Sequence, residues 1–488
     1  MNAKTNDSLV SVSADSVKLP PIIQGGMGVG VSGWRLANAA ARAGAIGTVS
    51  LTAVANLLAY VLQKGDPTGD YRRSLKRFPY PKIVEMVMNA YFVDGGIKEG
   101  KKQKPVPMYT FEPSNLLMGL TICASFVFVD LSKEGHSKPI FINLLHEVPM
   151  PNLYSVLGAM LANVDGVVMG AGIPKEMPKL IDDIMNGERI TYPIYVVGQD
   201  KVPGSDKNTV DLVFDCVSFF GERLYIKNRP LFLPIVASNT LLERLHKTYP
   251  GKIYGFIIEA PTAGGHNAPP RGKDLILNAR GEPVYGERDV VDFARVASLG
   301  VPFYIAGGLA SPQGLRYAQS VGANGIQVGS AFAFCEESGT REDLKSQSRK
   351  LGFNGSLDTF TDGDASPTGF PFKVSRVSET LSEEVVYNER KRVCNIGLLR
   401  TAYIKDDGSI GFRCSAEPID NFVSKGGCIE CTKRTVCLCN ALMSTAGARD
   451  GEKPILTAGD SLGFFKVFMA HEDATYYAED VVRYIEGV

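Results

Sequence analysis

A chain of 488 residues exceeds one small domain and has room for a large α/β barrel plus about 150 residues more. Lys+Arg and Asp+Glu both number 52, so no net charge favours nucleic acid or an anionic membrane. Apolar content of 44%, nine unevenly spread cysteines and no basic-then-apolar N-terminal pattern describe a globular protein expected in a reducing cytoplasm. The longest apolar run, around Leu116 to Val129, carries Thr and Ser and is too short to insert in a bilayer.

Pro20 to Gly26 reads as a first strand, followed by the Gly-rich loop GGMGVGVSG and a helix through Ala43 that Ser32 is expected to cap. Ala45 to Ser50 is a second strand and Asn56 to Gln63 begins a helix. Residues 65–112 are rich in charge, Pro and Tyr and break the rhythm. They read as an insertion over the barrel mouth or against a second subunit of a homodimer. A helix from Pro113 to about Leu131 leads to strand three, Pro139 to Asn143; strand four is Asp165 to Gly170, with its helix at Lys175 to Met185. Between 189 and 229 the pattern is open: Ile194 to Gly198 suits a strand, and Thr209 to Phe220 suits a helix or a hairpin arm. Leu231 to Ala237 is a strand closed by Ser238 and a helix through Thr248. Lys252 to Glu259 is another strand, and a helix follows at Arg288 to Leu299.

Residues 301–334 organise the rest. Val301 to Ala306 is a strand, Gly307-Gly308 a sharp turn, and Ser311-Pro312 opens a helix with an apolar stripe of Leu315, Ala318 and Val321. Gly325 to Val328 is the next strand, and Gly329-Ser330 turns into a further helix. Two successive strand-to-helix turns with exposed backbone N–H groups form a phosphate cradle, the site after strands seven and eight of a barrel. Arg341 to Lys350 is the last barrel helix. Eight strands at roughly 30–45 residues per βα unit give an α/β fold, a (β/α)8 TIM barrel over 1–352. Residues 353–488 form a loop-rich extension, helical at 432–447 and 460–486.

Of five histidines, His246 sits on a polar helix, His136 and His471 lie among polar residues, and His146 follows strand three. His266 follows strand six in APTAGGH, at the face where barrels place their chemistry, and Gly264-Gly265 lets its imidazole swing toward a ligand as proton donor or acceptor.

PIIQGGMGVG, MGAGIP, EAPTAGGH, AGGLASPQG and GIQVGS, in this order, resemble the nitronate monooxygenase family, formerly the 2-nitropropane dioxygenases. They also resemble the related flavin-dependent enoyl-acyl-carrier-protein reductases and the enoyl reductases of polyunsaturated fatty acid and polyketide synthases. The resemblance covers about residues 18–340. It implies FMN held without a covalent link, with Gln24, Gly26, Met27 and Asn143 at the isoalloxazine. It also implies Gly170, Gly172 and Ser238 near the ribityl chain, with Gly265 alongside. Gly307, Gly308, Gly329 and Ser330 would hold the phosphate, and His266 would be the catalytic residue. The substrate is then a small molecule: an alkyl nitronate with O2, or an enoyl thioester or quinone with NAD(P)H. A flavin-free barrel acting on a phosphorylated metabolite also uses such a cradle, but the Gly-rich first loop and the AGGH turn disfavour it.

The extension holds Cys394, Cys414, Cys428, Cys431, Cys437 and Cys439. The C-x2-C-x5-C-x-C run suits Zn²⁺ or an iron–sulfur cluster, or else a set of reduced, partly buried thiols. Asp362 and Asp364 lie in a Pro- and Gly-containing segment suited to fold back across the barrel face, with no chemistry assigned.

Overall fold

The computed structural model describes residues 18–488 apart from 203, 204, 206 and 273. Short runs of β-branched and apolar residues form the strands β1 (Ile22–Gln24), β2 (Gly47–Ser50), β3 (Ile140–Leu145), β4 (Gly166–Gly170), β5 (Arg189–Val197), β6 (Thr209–Asp215), β7 (Leu231–Val236), β8 (Phe256–Glu259), β9 (Phe303–Ala306), β10 (Gly325–Val328), β11 (Thr359–Asp362), β12 (Phe372–Ser375), β13 (Thr401–Ile404) and β14 (Ile410–Arg413). Eight of them make one parallel sheet in the order β1-β10-β9-β8-β7-β4-β3-β2. Ile46, just before β2, bridges Ile23, and Gln24 N–H donates to Ile46 O at 2.9 Å. That contact returns β2 to β1 and closes the expected (β/α)8 barrel.

Strand alternation sorts the side chains. Ile23, Phe141, Val168, Leu233, Ile257 and Tyr304 fill the barrel, while Ile22, Ile142, Val167, Phe232, Phe256 and Phe303 face the helices. Gly166 has to be small, because a Cβ there would lie 2.5 Å from the Phe141 ring. Two residues beyond each inward core residue comes one that faces the mouth: Asn143, Gly170, Ile235, Glu259 and Ala306. Gln24 is one residue out of that phase and points outward.

The helix Asn115–Ser132 is apolar all round, with mean hydropathy 1.7, and 78% of it is buried. Its cover comes from Val54–Gln63, Pro149–Leu161 and the insertion's helices Asp70–Leu75 and Pro81–Tyr91. The insertion therefore does not roof the mouth: none of residues 65–112 lines it, and Tyr109 is hydrogen-bonded to Thr121 of the buried helix. The open region at 189–229 resolves as the antiparallel hairpin β5–β6. It joins β13 and β14 in a separate sheet of order β14-β13-β5-β6.

Beyond residue 352, chain order and packing part company. Helix Ala478–Glu486 lays Val481, Val482 and Ile485 against Trp34–Arg42 and Pro312–Ser320, in the outer ring of the barrel. The helices expected over 432–447 and 460–486 are shorter, at Leu438–Thr445, Phe465–Phe468 and Ala478–Glu486. Loops between them carry the chain back over the mouth.

Candidate active site

A cavity of about 400 Å³ opens at the C-terminal ends of the barrel strands. Its floor is the set of inward strand ends. On one side runs the first loop, Gly25 to Gly28. Ser32 does not cap the following helix, whose cap residue is Gly33. Instead its hydroxyl accepts from Met27 N–H at 2.9 Å and donates to Gly25 O at 2.9 Å, which pins the loop. A Cβ at Gly26 would lie 2.0 Å from Asn143 Cβ, so the bare backbone of the loop lies on that side chain.

Beside it, since β1 pairs with β10, comes the pair of turns after β9 and β10. Gly307 and Gly308 have φ of 113° and 80°, conformations that other residues rarely adopt. Cβ atoms there would lie 2.7 Å from Thr262 Oγ1 and 2.7 Å from Ser461 Oγ. Ser311 caps its helix as expected, accepting from Gly314 N–H at 3.0 Å. Gly307, Gly308, Gly329 and Ser330 all line the cavity.

His266 faces the same space. Its Nε2 is hydrogen-bonded to Ser366 Oγ at 2.7 Å, and the Phe372 ring meets it edge-on at 4.9 Å. Burial alone pushes its pKa down to about 4, so the imidazole is neutral at pH 7. Glu259, seven residues earlier, lies deep among protein atoms yet keeps surface on the cavity. Among the described residues no cation pairs with it, and burial pushes its pKa up to about 8. The cavity wall thus carries a neutral imidazole and a carboxylic acid that is largely protonated at pH 7. Gln327 adds a buried Oε1 with no hydrogen-bond partner. Among the other histidines, His146 lies outside the cavity. Burial opposes its charge, but Glu147 and Glu176, each at 3.5 Å, outweigh that and raise its pKa to about 9.

Gly26, Met27, Asn143, Gly170, Gly265 and His266 therefore share one space with the two turns, whereas Gln24, Gly172 and Ser238 do not reach it. Gln24 faces outward and spans Ser32 Oγ, Gly25 O and Thr48 N–H. Gly172, at φ 127°, clears space for the His146 ring. Ser238 caps the helix Asn239–Thr248, accepting from Leu241 N–H at 3.2 Å.

Sequence reasoning missed the extension's share of the wall. Residues 455–461 cross the mouth, where Thr457 Oγ1 accepts from Gly265 N–H at 2.8 Å and Gly459 N–H donates to Ser330 Oγ at 2.8 Å. Lys373 N–H donates to Gly265 O at 2.9 Å, and its Nζ donates to Asp460 at 2.6 Å. Nothing local in the sequence marks Thr457, Gly459, Ser366 or Lys373. Glu259 and Gln327 were within reach, since their inward phase follows from strand alternation.

The extension's cysteines do not gather as four ligands. Cys437 pairs with Cys439 and Cys394 with Cys414, the two pairs near enough to interact electrostatically, while Cys428 and Cys431 stand at the surface. Among the described residues, no group of three or more His, Cys, Asp or Glu is placed to hold a metal ion.

Residues 231–358, β7 through the helix Glu342–Phe353, match the nitronate monooxygenase family. The match lies within the second half of the barrel. A probable nitronate monooxygenase of Staphylococcus haemolyticus is 34% identical over 89 residues, 18% of this chain and 24% of that protein. One of Bacillus subtilis is 35% identical over 82 residues, 17% of this chain and 22% of that protein. The alignment thus spans about a quarter of these relatives' length. Among solved structures, FabK from Thermotoga maritima is 16% identical with a TM-score of 0.49, over 96% of this chain and 92% of that one. A nitroalkane oxidase from Streptomyces ansochromogenes is 14% identical with a TM-score of 0.46, over 97% and 96%.

Proposed function

We propose that this protein is an FMN-dependent oxidoreductase that oxidises an alkyl nitronate with O2. The observation that carries the reading is the convergence of Gly307-Gly308, Gly329-Ser330 and His266 on one cavity. The family match over 231–358 supports it. Three features suit a flavin: the bare backbone of Gly26 against Asn143, the turns at Gly307 and Gly308 that side chains would fill, and the unpartnered Gln327 Oε1. Gly26 and Met27 would lie along the ring system, Asn143 and Gln327 would bond its polar edge, and the two turns would hold the phosphate. Bound there, FMN supplies electron exchange with the substrate and with oxygen.

The chain's own residues then bind, orient and manage protons. A nitronate is already an anion, so it needs donors rather than a strong base. His266 is neutral, so its ring has one N–H and one acceptor nitrogen; with Ser366 donating to Nε2, Nδ1–H would be the donor, and Ser366 fixes the ring. Glu259, largely protonated at pH 7, offers an O–H to the same space. The loop 455–461 supplies part of the wall and would limit water around a bound substrate.

One observation favours a second reading on the same cofactor, an NAD(P)H-dependent reductase of an enoyl thioester or quinone. The cavity lining includes the apolar side chains of Val31, Phe334, Leu442, Ile455, Phe464 and Val467, a surface that suits an acyl chain. O2 uptake with propyl-1-nitronate and NAD(P)H oxidation with an enoyl thioester or a quinone, run side by side on purified protein, separate the two. Protein that neither releases FMN on heating nor takes up added FMN would overturn both.

A further inference from the structure

Seven of the nine cysteines are buried or half-buried, while Cys428 and Cys431 are exposed. They sit at either end of one tight turn, the 3-10 helix Ile429–Thr432, where Cys431 N–H donates to Cys428 O at 3.1 Å. The turn sets the two thiols three residues apart, near enough for each to shift the other's titration. They are not equivalent. The backbone N–H groups of Glu430 and Cys431, then the Cys431 thiol, hold Cys428 below the usual thiol range. Burial and its Cys428 neighbour push Cys431 up. A more acidic exposed thiol paired with a less acidic one is the arrangement of an attacking and a resolving cysteine.

The turn is also anchored to the segment that carries Ser366. Arg434, held at φ 57°, donates to Asp362 at 2.7 Å. Val436 N–H donates to Ala365 O at 2.9 Å, and the next residue, Ser366, is the one bonded to His266. Thr435 Oγ1 donates to Cys431 O at 2.9 Å, which ties the turn to its anchor.

We propose that Cys428 and Cys431 are a reversible thiol-oxidation site that closes to an intramolecular disulfide with a low-molecular-weight disulfide as oxidant. The Cys428 thiolate attacks one sulfur of that disulfide, its S–S bond breaks and one small thiolate leaves. The Cys431 thiolate, after losing its proton to solvent, attacks Cys428 Sγ and expels the second. Two protein thiols are oxidised, and the oxidant takes up the electron pair and leaves as two thiols. This site is separate from the flavin reading and stands or falls without it.

The sequence supplies a clean readout. Trypsin cleavage after Lys425 and Lys433 releases residues 426–433, GGCIECTK, which hold both cysteines and no other. Full-length protein is equilibrated with graded ratios of reduced and oxidised glutathione, quenched in acid, alkylated with a maleimide and digested. The proposal expects this peptide to pass, at one ratio, from doubly alkylated to an unalkylated form lighter by two hydrogens. Cys431→Ser should instead leave Cys428 carrying one glutathione, and should react faster than Cys428→Ser. A peptide that stays doubly alkylated at every ratio would overturn the proposal, and so would a Cys431→Ser variant that still yields no mixed disulfide. The circular dichroism of both variants confirms that they are folded.

Discussion

The matched segment, residues 231–358, and the tail beyond it line one cavity by different means. In the barrel, each site residue follows from position on a strand: Glu259 lies two residues past Ile257, and Ala306 two past Tyr304. In the tail, position follows from long-range hydrogen bonds: Thr457 to Gly265, Gly459 to Ser330, and Ser366 to His266. A barrel mouth is built from local turns on a rigid frame, whereas its roof is built from segments distant in sequence that must be docked onto it. The two regions therefore differ in which changes they tolerate.

The harshest way to break the comparison is to remove residues 478–488. If the tail were only a roof, the barrel would survive. Val481, Val482 and Ile485 are 0–1% exposed between barrel helices, and losing one such side chain costs about 2–5 kcal/mol for a Leu or Ile. The truncated chain is expected to lose cooperative unfolding and to aggregate, as thermal melts and size-exclusion chromatography would show. A soluble, cooperatively melting product would mean that the barrel is complete without the tail.

His266→Asn tests the barrel side. It keeps a polar group but not the imidazole, and turnover is expected to fall by about 10²–10⁴, with FMN content unchanged. The structure adds a sign to the pH profile. With the pKa pushed down to about 4, below the ordinary 6.5, the wild-type rate should show no His266 inflection near pH 6.5. The contribution of this residue to stability is present above 6.5 and is lost as pH falls through about 4. Turnover within a factor of about three of wild type, with flavin bound, would remove His266 from the mechanism.

Ser366→Ala tests the tail through the same histidine. One net hydrogen bond is worth about 0.5–1.5 kcal/mol, so turnover should drop by roughly 2- to 12-fold while the melting midpoint shifts little. The conservative Ser366→Thr keeps the hydroxyl and should recover most of the rate if the role is to position the ring. A loss in Ser366→Ala equal to that of His266→Asn would erase the distinction between framework and roof.

Glu259→Gln is expected to have the smallest effect at neutral pH and the most distinctive one with pH. A folded-state pKa of about 8 lies above the ordinary 4.5, so the stability Glu259 contributes is full below about 4.5 and declines as pH rises through about 8. Removing the charge should flatten that part of the stability curve and raise the midpoint at pH 9 relative to wild type. Parallel denaturant curves of the two proteins from pH 5 to 9 would contradict the assignment.

Much of the barrel was legible because each βα unit repeats the same local physics. An apolar run buried on both faces, a glycine turn and a capped helix mark themselves, as Val301 to Ser311 do. Gly307, Gly308, Gly329, Ser330 and His266 could be placed together because barrel topology puts every such turn on one face. The misplaced residues failed for reasons of phase and competition. Gln24 sits one residue out of the inward alternation, Ser238 and Ser32 are claimed by backbone N–H groups, and Gly172 serves the His146 ring.

By itself, then, the amino-acid order determined the eight strands, the glycine turns and the histidine above them, since those depend on contacts within a few residues. Only the tertiary structure decided that 65–112 packs outside the mouth, that Cys428 and Cys431 stand exposed while the extension's other cysteines are buried or half-buried, and that residues 455–461 line the cavity. The last of these rests on contacts between segments more than a hundred residues apart, Thr457 with Gly265 and Gly459 with Ser330, for which no local periodicity exists.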